Sequence, residues 1–175
     1  EDGLIYPKFL MEEQKKKMEA ATEGTKVSVT QTADNQLKLN VPSDISFDTG
    51  QSTIKPEMHP VLNSLAAGLK SNSNSQVTII GYTDDTGNDS INNPLSVNRA
   101  ASTRAYLVSQ GIASNRISID GRGASEPVAA NTSPENRAKN RRVEIFVKEP
   151  QPQQQRQQEL PQHQEQQQYI QQPAY

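Results

Sequence analysis

The chain has 175 residues, of which 32% are hydrophobic, a formal net charge of −2 and a mean hydropathy of −0.82. The near-neutral charge excludes a strong global attraction to nucleic acid or anionic membranes, and the absence of cysteine excludes disulfides, thiolate zinc sites and cysteine nucleophiles. Since no run of about 18 apolar residues is present, the sequence predicts no membrane-spanning helix.

The first region, 1–24, is a lead-in rich in helix-forming residues. Lys8 to Ala21 predicts a helix that Gly24 would end. Its apolar residues do not sustain a long stripe, so we interpret it as a solvated connecting helix, with a partner-binding helix as the alternative. Because the chain begins with Glu1 rather than Met, we expect an upstream segment, such as a signal or lipid anchor, to have been removed.

The second region, 25–149, alternates between strand and helix patterns. Val27 to Val29 and Leu37 to Leu39 alternate with period two on either side of the turn residues 33–35, which predicts a hairpin. Residues 56–70 carry apolar side chains at three- and four-residue spacing behind a proline, which predicts a helix.

The rest of this region continues the alternation. Val77 to Ile80 is a β-branched run typical of a buried strand, and a second helix is predicted over 94–110, with Asn93 as its cap and Pro94 in its first position. Two further strands are predicted at Arg116 to Asp120 and Arg142 to Val147. Strands alternating with helices indicate an α/β sandwich with the helices on one face.

The third region, 150–175, has a different composition. Thirteen of the last 25 residues are Gln, and Pro recurs. Such a segment cannot bury enough apolar surface to offset chain entropy, so it is predicted to be disordered. Self-association of the Gln-rich tract is the alternative.

The sequence lacks the residues that several classes of catalytic and metal-binding site require. The only histidines are His59 and His163, and neither lies near a G-x-S-x-G elbow, which argues against a His-based nucleophilic enzyme and a His-rich zinc site. The acidic loop from Asp84 suggests calcium. However, the sixth and twelfth positions of an EF-hand loop would be Asp89 and Leu95 instead of Gly and Glu.

An acidic and a basic residue are more informative. Asp84 follows the Val77 to Ile80 strand at its carboxyl end, and Arg99 lies in the next helix. Ligands in open α/β sheets often bind beyond such strand ends. A carboxylate and a guanidinium facing one pocket would suit a zwitterion, but spacing alone favours an internal Asp84–Arg99 salt bridge that holds the loop.

Five sequence blocks, in one order between residues 45 and 147, resemble the motifs of the OmpA-like peptidoglycan-binding family. They are Ile45–Gly50 (F-D-x-G), Ile80–Gly87 (G-[HY]-T-D-x-x-G), Asn92–Ala100 (N-x-x-L-S-x-x-R-A), Gly121–Pro127 (G-x-G-x-x-x-P) and Asn136–Ile145 (N-R-x-x-N-R-R-V-E-I). Residues 24–148 look most similar to the family's enterobacterial outer-membrane lipoproteins. Tyr82 stands where many members have His, and Thr103 where many have an apolar residue.

The resemblance implies a fold and a ligand. The fold is a β-α-β-α-β-β mixed sheet with helices packed on one face. The Gln-rich tail, which its composition predicts to be disordered, lies outside the family pattern. The expected activity is non-enzymatic, non-covalent binding of peptidoglycan through the diaminopimelate residue of its stem peptide. The protein would lie on the periplasmic face of the outer membrane and anchor it to the cell wall.

The resemblance also implies site residues. Asp84 and Arg99 would hold the diaminopimelate; Thr86, Asn92 and Leu95 would line the pocket; Phe47, Asp48 and Arg142 would lie at its rim. Each has a plainer interpretation: Asn92 as a helix cap, Leu95 and Phe47 as core, Asp48 as a turn residue, and Arg142, with Arg141, as a solvated strand end that could also attract anionic wall polymers.

No cofactor, metal or nucleic acid is expected, and membrane association is expected only through a segment absent from this chain. Two other functions stay open at this point. One is a peptidoglycan hydrolase that uses loop carboxylates. The other is a protein-interaction module of an envelope or secretion complex that acts through the Gln/Pro-rich tail.

Overall fold

A five-stranded mixed sheet organises the computed structural model, which describes residues 7–150. In chain order its elements are α1 (Pro7–Thr22), β1 (Ser28–Gln31), β2 (Leu37–Pro42), α2 (Ser43–Ser46), α3 (His59–Ser71), β3 (Gln76–Tyr82), α4 (Asp89–Ser109), β4 (Ile117–Gly121), α5 (Pro134–Asn140) and β5 (Arg142–Lys148), with 3₁₀ turns at Pro56–Met58 and Ser114–Arg116. The strand order is β1-β2-β5-β3-β4, and only β3 and β4 run parallel.

The predicted mixed sheet with helices is confirmed. From β2 onward the elements follow the expected β-α-β-α-β-β order, with two short helices inserted, α2 before α3 and α5 before β5. The hairpin is also confirmed: Gln31 pairs with Leu37, and Asn35 takes a positive φ of 65° in the turn. Of the described residues, none forms a helix long and apolar enough to cross a bilayer.

The core lies between one face of the sheet and the helices. Alternate residues of β2, β3 and β5 face it, because side chains along a strand alternate between the two faces. The apolar face of α3 packs from the other side, at the spacing that predicted this helix. The fully buried core side chains include Leu37, Leu39, Leu65, Leu69, Val77, Ile79, Leu107 and Ile145.

Helix α4 begins earlier than predicted. Asn88, and not Asn93, caps it: the Asn88 Oδ1 atom accepts a hydrogen bond from the Ile91 amide at 3.2 Å, and Pro94 lies inside the helix. Three asparagines, Asn88, Asn92 and Asn93, precede the apolar face, and the prediction chose the one beside the proline. The extra turn brings Asn92 into the helix, where its side chain reaches the loop after β3.

Helix α1 forms over the predicted stretch, but one of its faces packs against the core instead of being solvated. Met11 and Met18 are buried in the core, and the Gln14 amide donates to the Gly68 carbonyl of α3 at 3.2 Å. Together with Thr22 these residues form a narrow buried stripe. The sequence interpretation missed it because two of its four members are polar. The domain bounds at 24/25 and 149/150 stay predictions, and the Gln-rich tail lies outside the described residues.

One carboxyl is buried where β5 ends. Glu149 is 6% exposed, and its Oε1 atom has no hydrogen-bond partner within residues 7–150. Burial raises the pKa of this carboxyl from 4.5 to about 7, against the opposing effect of the Arg116 charge. The folded protein therefore holds this proton more tightly than the unfolded chain. The resulting stability is fully present below the unfolded pKa and is lost as pH rises through about 7.

We expect the melting temperature to fall by about 2–4 °C between pH 5.5 and 8.5, which corresponds to about 1 kcal/mol for a chain of this size. Glu149→Gln should remove this fall, since the amide does not ionise, whereas the exposed Glu135→Gln should retain it. Thermal melts of the wild-type protein and the two variants between pH 5.5 and 8.5 test whether Glu149 causes this fall. An identical pH dependence in all three would contradict the assignment.

Candidate functional site

A cleft of about 520 Å³ opens beyond the carboxyl end of β3, where α2, the β3–α4 loop, the first turns of α4 and the start of β5 meet. It is lined by Asp44, Phe47, Thr49, Gly50, Thr83, Asp84, Thr86, Ile91, Asn92, Leu95, Arg99 and Arg141. Six of the eight predicted site residues are among them: Phe47, Asp84, Thr86, Asn92, Leu95 and Arg99. Their binding role stays a prediction.

Close packing of α4 against the sheet positions this cleft. At Gly81 of β3 a Cβ atom would overlap the Ser96 carbonyl, and at Gly121 of β4 it would overlap the Val97 amide. Only glycine allows the helix backbone to approach both strands so closely. This contact explains why glycines precede the acidic loop and end β4, and it fixes the helix face that carries Asn92 and Arg99.

Asp84 is a buried anion with both carboxylate oxygens engaged. It is 7% exposed; Oδ1 accepts the Thr86 amide at 2.8 Å, and Oδ2 accepts Arg141 Nη1 at 2.6 Å. Burial raises the pKa of this carboxyl, but the hydrogen bonds from Thr86 and Arg141 outweigh it, so the pKa lies below its ordinary value. Asp84 is therefore ionised at neutral pH.

Arg99 is a buried cation tied to the loop before α3. It is 4% exposed; Nε donates to the Gln51 carbonyl at 2.8 Å and Nη2 to the Asp48 carbonyl at 3.3 Å. Its guanidinium carbon lies 4.9 Å from the centroid of the Phe47 ring. Burial lowers the pKa of Arg99, and the nearby Asp44 acts in the opposite direction. An arginine remains charged at neutral pH despite such a shift.

The expected Asp84–Arg99 salt bridge is absent among the described residues. Asp84 pairs with Arg141 instead, and Arg99 binds backbone carbonyls. Asn92 is not the helix cap: its amide donates to the Thr86 carbonyl at 3.0 Å and the Asp84 carbonyl at 3.4 Å. These bonds hold the acidic loop against α4, so that the cleft is preformed.

Two predicted rim residues lie elsewhere. The Asp48 side chain is 79% exposed, beside Lys55, and only its backbone carbonyl faces Arg99. The rim position predicted for Arg142 is wrong: it is 3% exposed on the opposite face of the sheet, where it stacks over Tyr82 at 3.8 Å and pairs with Glu144 at 2.8 Å. Arg141, which lies between α5 and β5, contacts Asp44 and Asp84 in the cleft, whereas Arg142, the first residue of β5, lies on the opposite face.

Sequence reasoning missed the ion pair at the cleft wall. Arg141 Nε and Nη2 donate to Asp44 Oδ1 and Oδ2, both at 2.9 Å. This bidentate bond raises the pKa of Arg141 and lowers that of Asp44. The double arginine was a visible signal, but Asp44 lies 97 positions away and gave none. Within residues 7–150, no group of three or more acidic or His side chains is placed to hold a metal ion.

Comparison with known proteins shows where this arrangement belongs. The OmpA family model matches residues 46–141, a span that includes Asp84, Arg99 and Arg141. The chain belongs to the OmpA family. Probable lipoprotein YiaD of Escherichia coli is 40% identical over 139 residues, which cover 79% of this chain and 63% of YiaD.

Two further matches carry names that bear on function. Peptidoglycan-binding protein ArfA of Mycobacterium tuberculosis is 44% identical over 117 residues, which cover 66% of this chain and 36% of ArfA. The chain thus spans less than two thirds of either curated relative. The solved cell wall anchor of the T6SS from Pseudomonas aeruginosa aligns with a TM-score of 0.68 at 28% identity, over 77% of this chain and 96% of that chain.

The anchoring of the loop by Arg99 can be tested without a ligand. The Gln51 amide donates to the Asp48 carbonyl at 2.9 Å, so its hydrogen exchange reports opening of this loop. Arg99→Met removes the two bonds to the loop carbonyls, and we expect exchange at Gln51 to rise about tenfold, the equivalent of about 1.4 kcal/mol. Arg104→Met, on the same helix outside the cleft, should leave it unchanged. Equal protection in all three proteins would contradict this anchoring.

Proposed function

We propose that this domain binds peptidoglycan non-covalently through the diaminopimelate residue of the stem peptide, and that it anchors an outer-membrane-associated protein to the cell wall. The observation that carries the proposal is that one preformed cleft is lined by both a buried carboxylate, Asp84, and a buried guanidinium, Arg99, which do not bond to each other. Support comes from ArfA, a relative named for peptidoglycan binding, and from the cell wall anchor with the same fold.

The cleft matches an α-amino acid head group in charge. Asp84 would accept the ammonium, and Arg99 would donate to the carboxylate, since its Nη1 atom donates to no acceptor among the described residues. Both groups are desolvated, which strengthens each charge-assisted bond relative to water. Leu95 and the Phe47 ring provide apolar wall, and Ile91, 61% exposed at the rim, would contact the methylenes that separate the two ends of diaminopimelate.

The two carboxylates in the cleft favour binding over hydrolysis. A glycoside hydrolase needs one carboxyl with a raised pKa to act as general acid. Asp44 and Asp84 both bind Arg141, and the pKa of each is lowered. Neither has the proton that such chemistry requires at neutral pH. The cleft is therefore better suited to hold an ionic ligand than to cleave one.

The strength of attachment follows from few contacts repeated many times. Charge-assisted hydrogen bonds contribute about 1.5–3 kcal/mol each. Two of them with a few neutral contacts give a dissociation constant of roughly micromolar to millimolar for one stem peptide. A protein held at the periplasmic face of the outer membrane would meet the same ligand at a high effective concentration along the wall. Weak single sites would then give a firm but reversible anchor.

Two substitutions test the ligand assignment. Asp84→Asn and Arg99→Gln should each weaken binding of a diaminopimelate-containing stem peptide at least about tenfold, or about 1.4 kcal/mol, in titration calorimetry. The double variant should lose about as much affinity as the two single variants together, because Asp84 and Arg99 do not bond to each other and would contact different groups of the ligand. Arg104→Gln serves as the matched arginine control.

Melting curves establish which fraction of each variant is folded. Unchanged peptide affinity in folded Asp84→Asn and Arg99→Gln would contradict the assignment. Release of soluble muropeptides from purified walls by the wild-type protein, lost in Asp84→Asn, would indicate the hydrolase alternative instead.

A further inference from the structure

A second carboxylate, Asp44 on α2, binds the guanidinium of Arg141, which also contacts Asp84. Its two oxygens accept the Nε and Nη2 atoms of Arg141, both at 2.9 Å, in the parallel geometry of a bidentate pair. This pair uses the Nε N–H and one of the two N–H groups of Nη2, and it orients the guanidinium so that its Nη1 end points at Asp84. In this orientation only Nη1 donates to Asp84, at 2.6 Å.

This arrangement leaves Asp84 short of a complete ion pair. Its Oδ2 atom accepts one Arg141 N–H, and its Oδ1 atom accepts the Thr86 backbone amide. A carboxylate can accept about four hydrogen bonds, so lone pairs remain on the side that lines the cleft. If Arg141 were released from Asp44, its guanidinium could turn and bind both Asp84 oxygens at once. The bidentate pair would then occupy the place of an incoming ammonium.

Asp44 also sets the charge balance of the cleft. Asp44, Asp84, Arg99 and Arg141 sum to zero, which matches a zwitterionic ligand. Without Asp44 the three remaining groups would carry one net positive charge, and the two arginines would face each other with less compensation. Asp44 raises the pKa of Arg99 while Arg141 lowers it, so the charges of both residues act on Arg99 across the cleft. An excess positive charge there would repel an ammonium.

We propose that Asp44 is a positioning residue for ammonium recognition: it holds Arg141 away from a bidentate bond with Asp84 and keeps the cleft neutral. This inference rests on the proposed function, since it concerns the amine of the same ligand. Asp44 itself need not contact the peptide.

The test compares Asp44→Asn, Asp44→Glu and a matched control. Asp120→Asn is the control because Asp120 also bonds to an arginine at 2.9 Å and has a side chain 51% exposed, against 52% for Asp44, but lies outside the cleft. Stem-peptide affinity should fall about tenfold in Asp44→Asn, recover to within about threefold of wild type in Asp44→Glu, which retains the carboxylate, and stay unchanged in Asp120→Asn.

Two further readouts separate positioning from simple loss of structure. With a stem peptide whose diaminopimelate amine is acetylated, wild type and Asp44→Asn should differ less than about twofold, because the ammonium is gone. In the free protein, NMR titration of the Asp84 carboxyl should move to a lower pKa in Asp44→Asn, as Arg141 closes on it. A loosened cleft would instead move this pKa upward toward its ordinary value, and that result would overturn the inference.

Failure of the two proposals can be told apart. If wild-type protein does not bind the stem peptide, the proposed function is wrong. If wild type binds and folded Asp44→Asn binds equally well, only the role of Asp44 is overturned.

Discussion

The close approach of α4 to β3 and β4 is the constraint on which the rest of the cleft depends. Gly81 and Gly121 let the helix backbone at Ser96 and Val97 rest directly on the two parallel strands. This contact fixes the position from which Asn92 hydrogen-bonds to the acidic loop and the position from which Arg99 hydrogen-bonds to the loop before α3. A side chain at either glycine would push the helix away, and the cleft side chains on its face would move with it.

On this frame the cleft presents charges of alternating sign. Asp44, Arg141 and Asp84 form a chain of ion pairs along one wall, while Arg99 stands apart on the other and is held by carbonyls. A buried guanidinium satisfied by neutral carbonyls keeps its positive charge uncompensated at short range, which favours a ligand carboxylate. The expected internal salt bridge would have cancelled both charges. Because Arg141 and the backbone take its place, each wall can accept one end of a zwitterion.

The sequence was sufficient for the features that depend on local patterns. Period-two alternation predicted the hairpin of β1 and β2, three- and four-residue spacing predicted α3, and motif order predicted the family, which the match over residues 46–141 confirms. The start of α4 was predicted less well. Asn93 was predicted to cap the helix, whereas the cap is Asn88, whose side chain accepts the Ile91 amide.

Features that depend on distant contacts were not predictable. Arg141, and not its neighbour Arg142, faces the cleft, where it bonds to Asp44 and Asp84. Arg141, the ion-pair partner of Asp84, is 57 positions away in the sequence. The buried stripe of α1 is narrow, and two of its four residues, Gln14 and Thr22, are polar. Spacing near one motif carries no information on such pairs, because chain folding and not chain proximity brings them together.

A stem peptide that occupies the cleft beyond β3 should be detectable by a backbone amide NMR titration with a diaminopimelate-containing peptide. We expect the largest shifts in the loop that contains Asp84 and Thr86 and in residues 48–51, which Arg99 holds. The opposite face of the sheet, around Lys38, Thr78 and Phe146, should change little. Shifts concentrated on that opposite face, or none at millimolar peptide, would contradict this expectation.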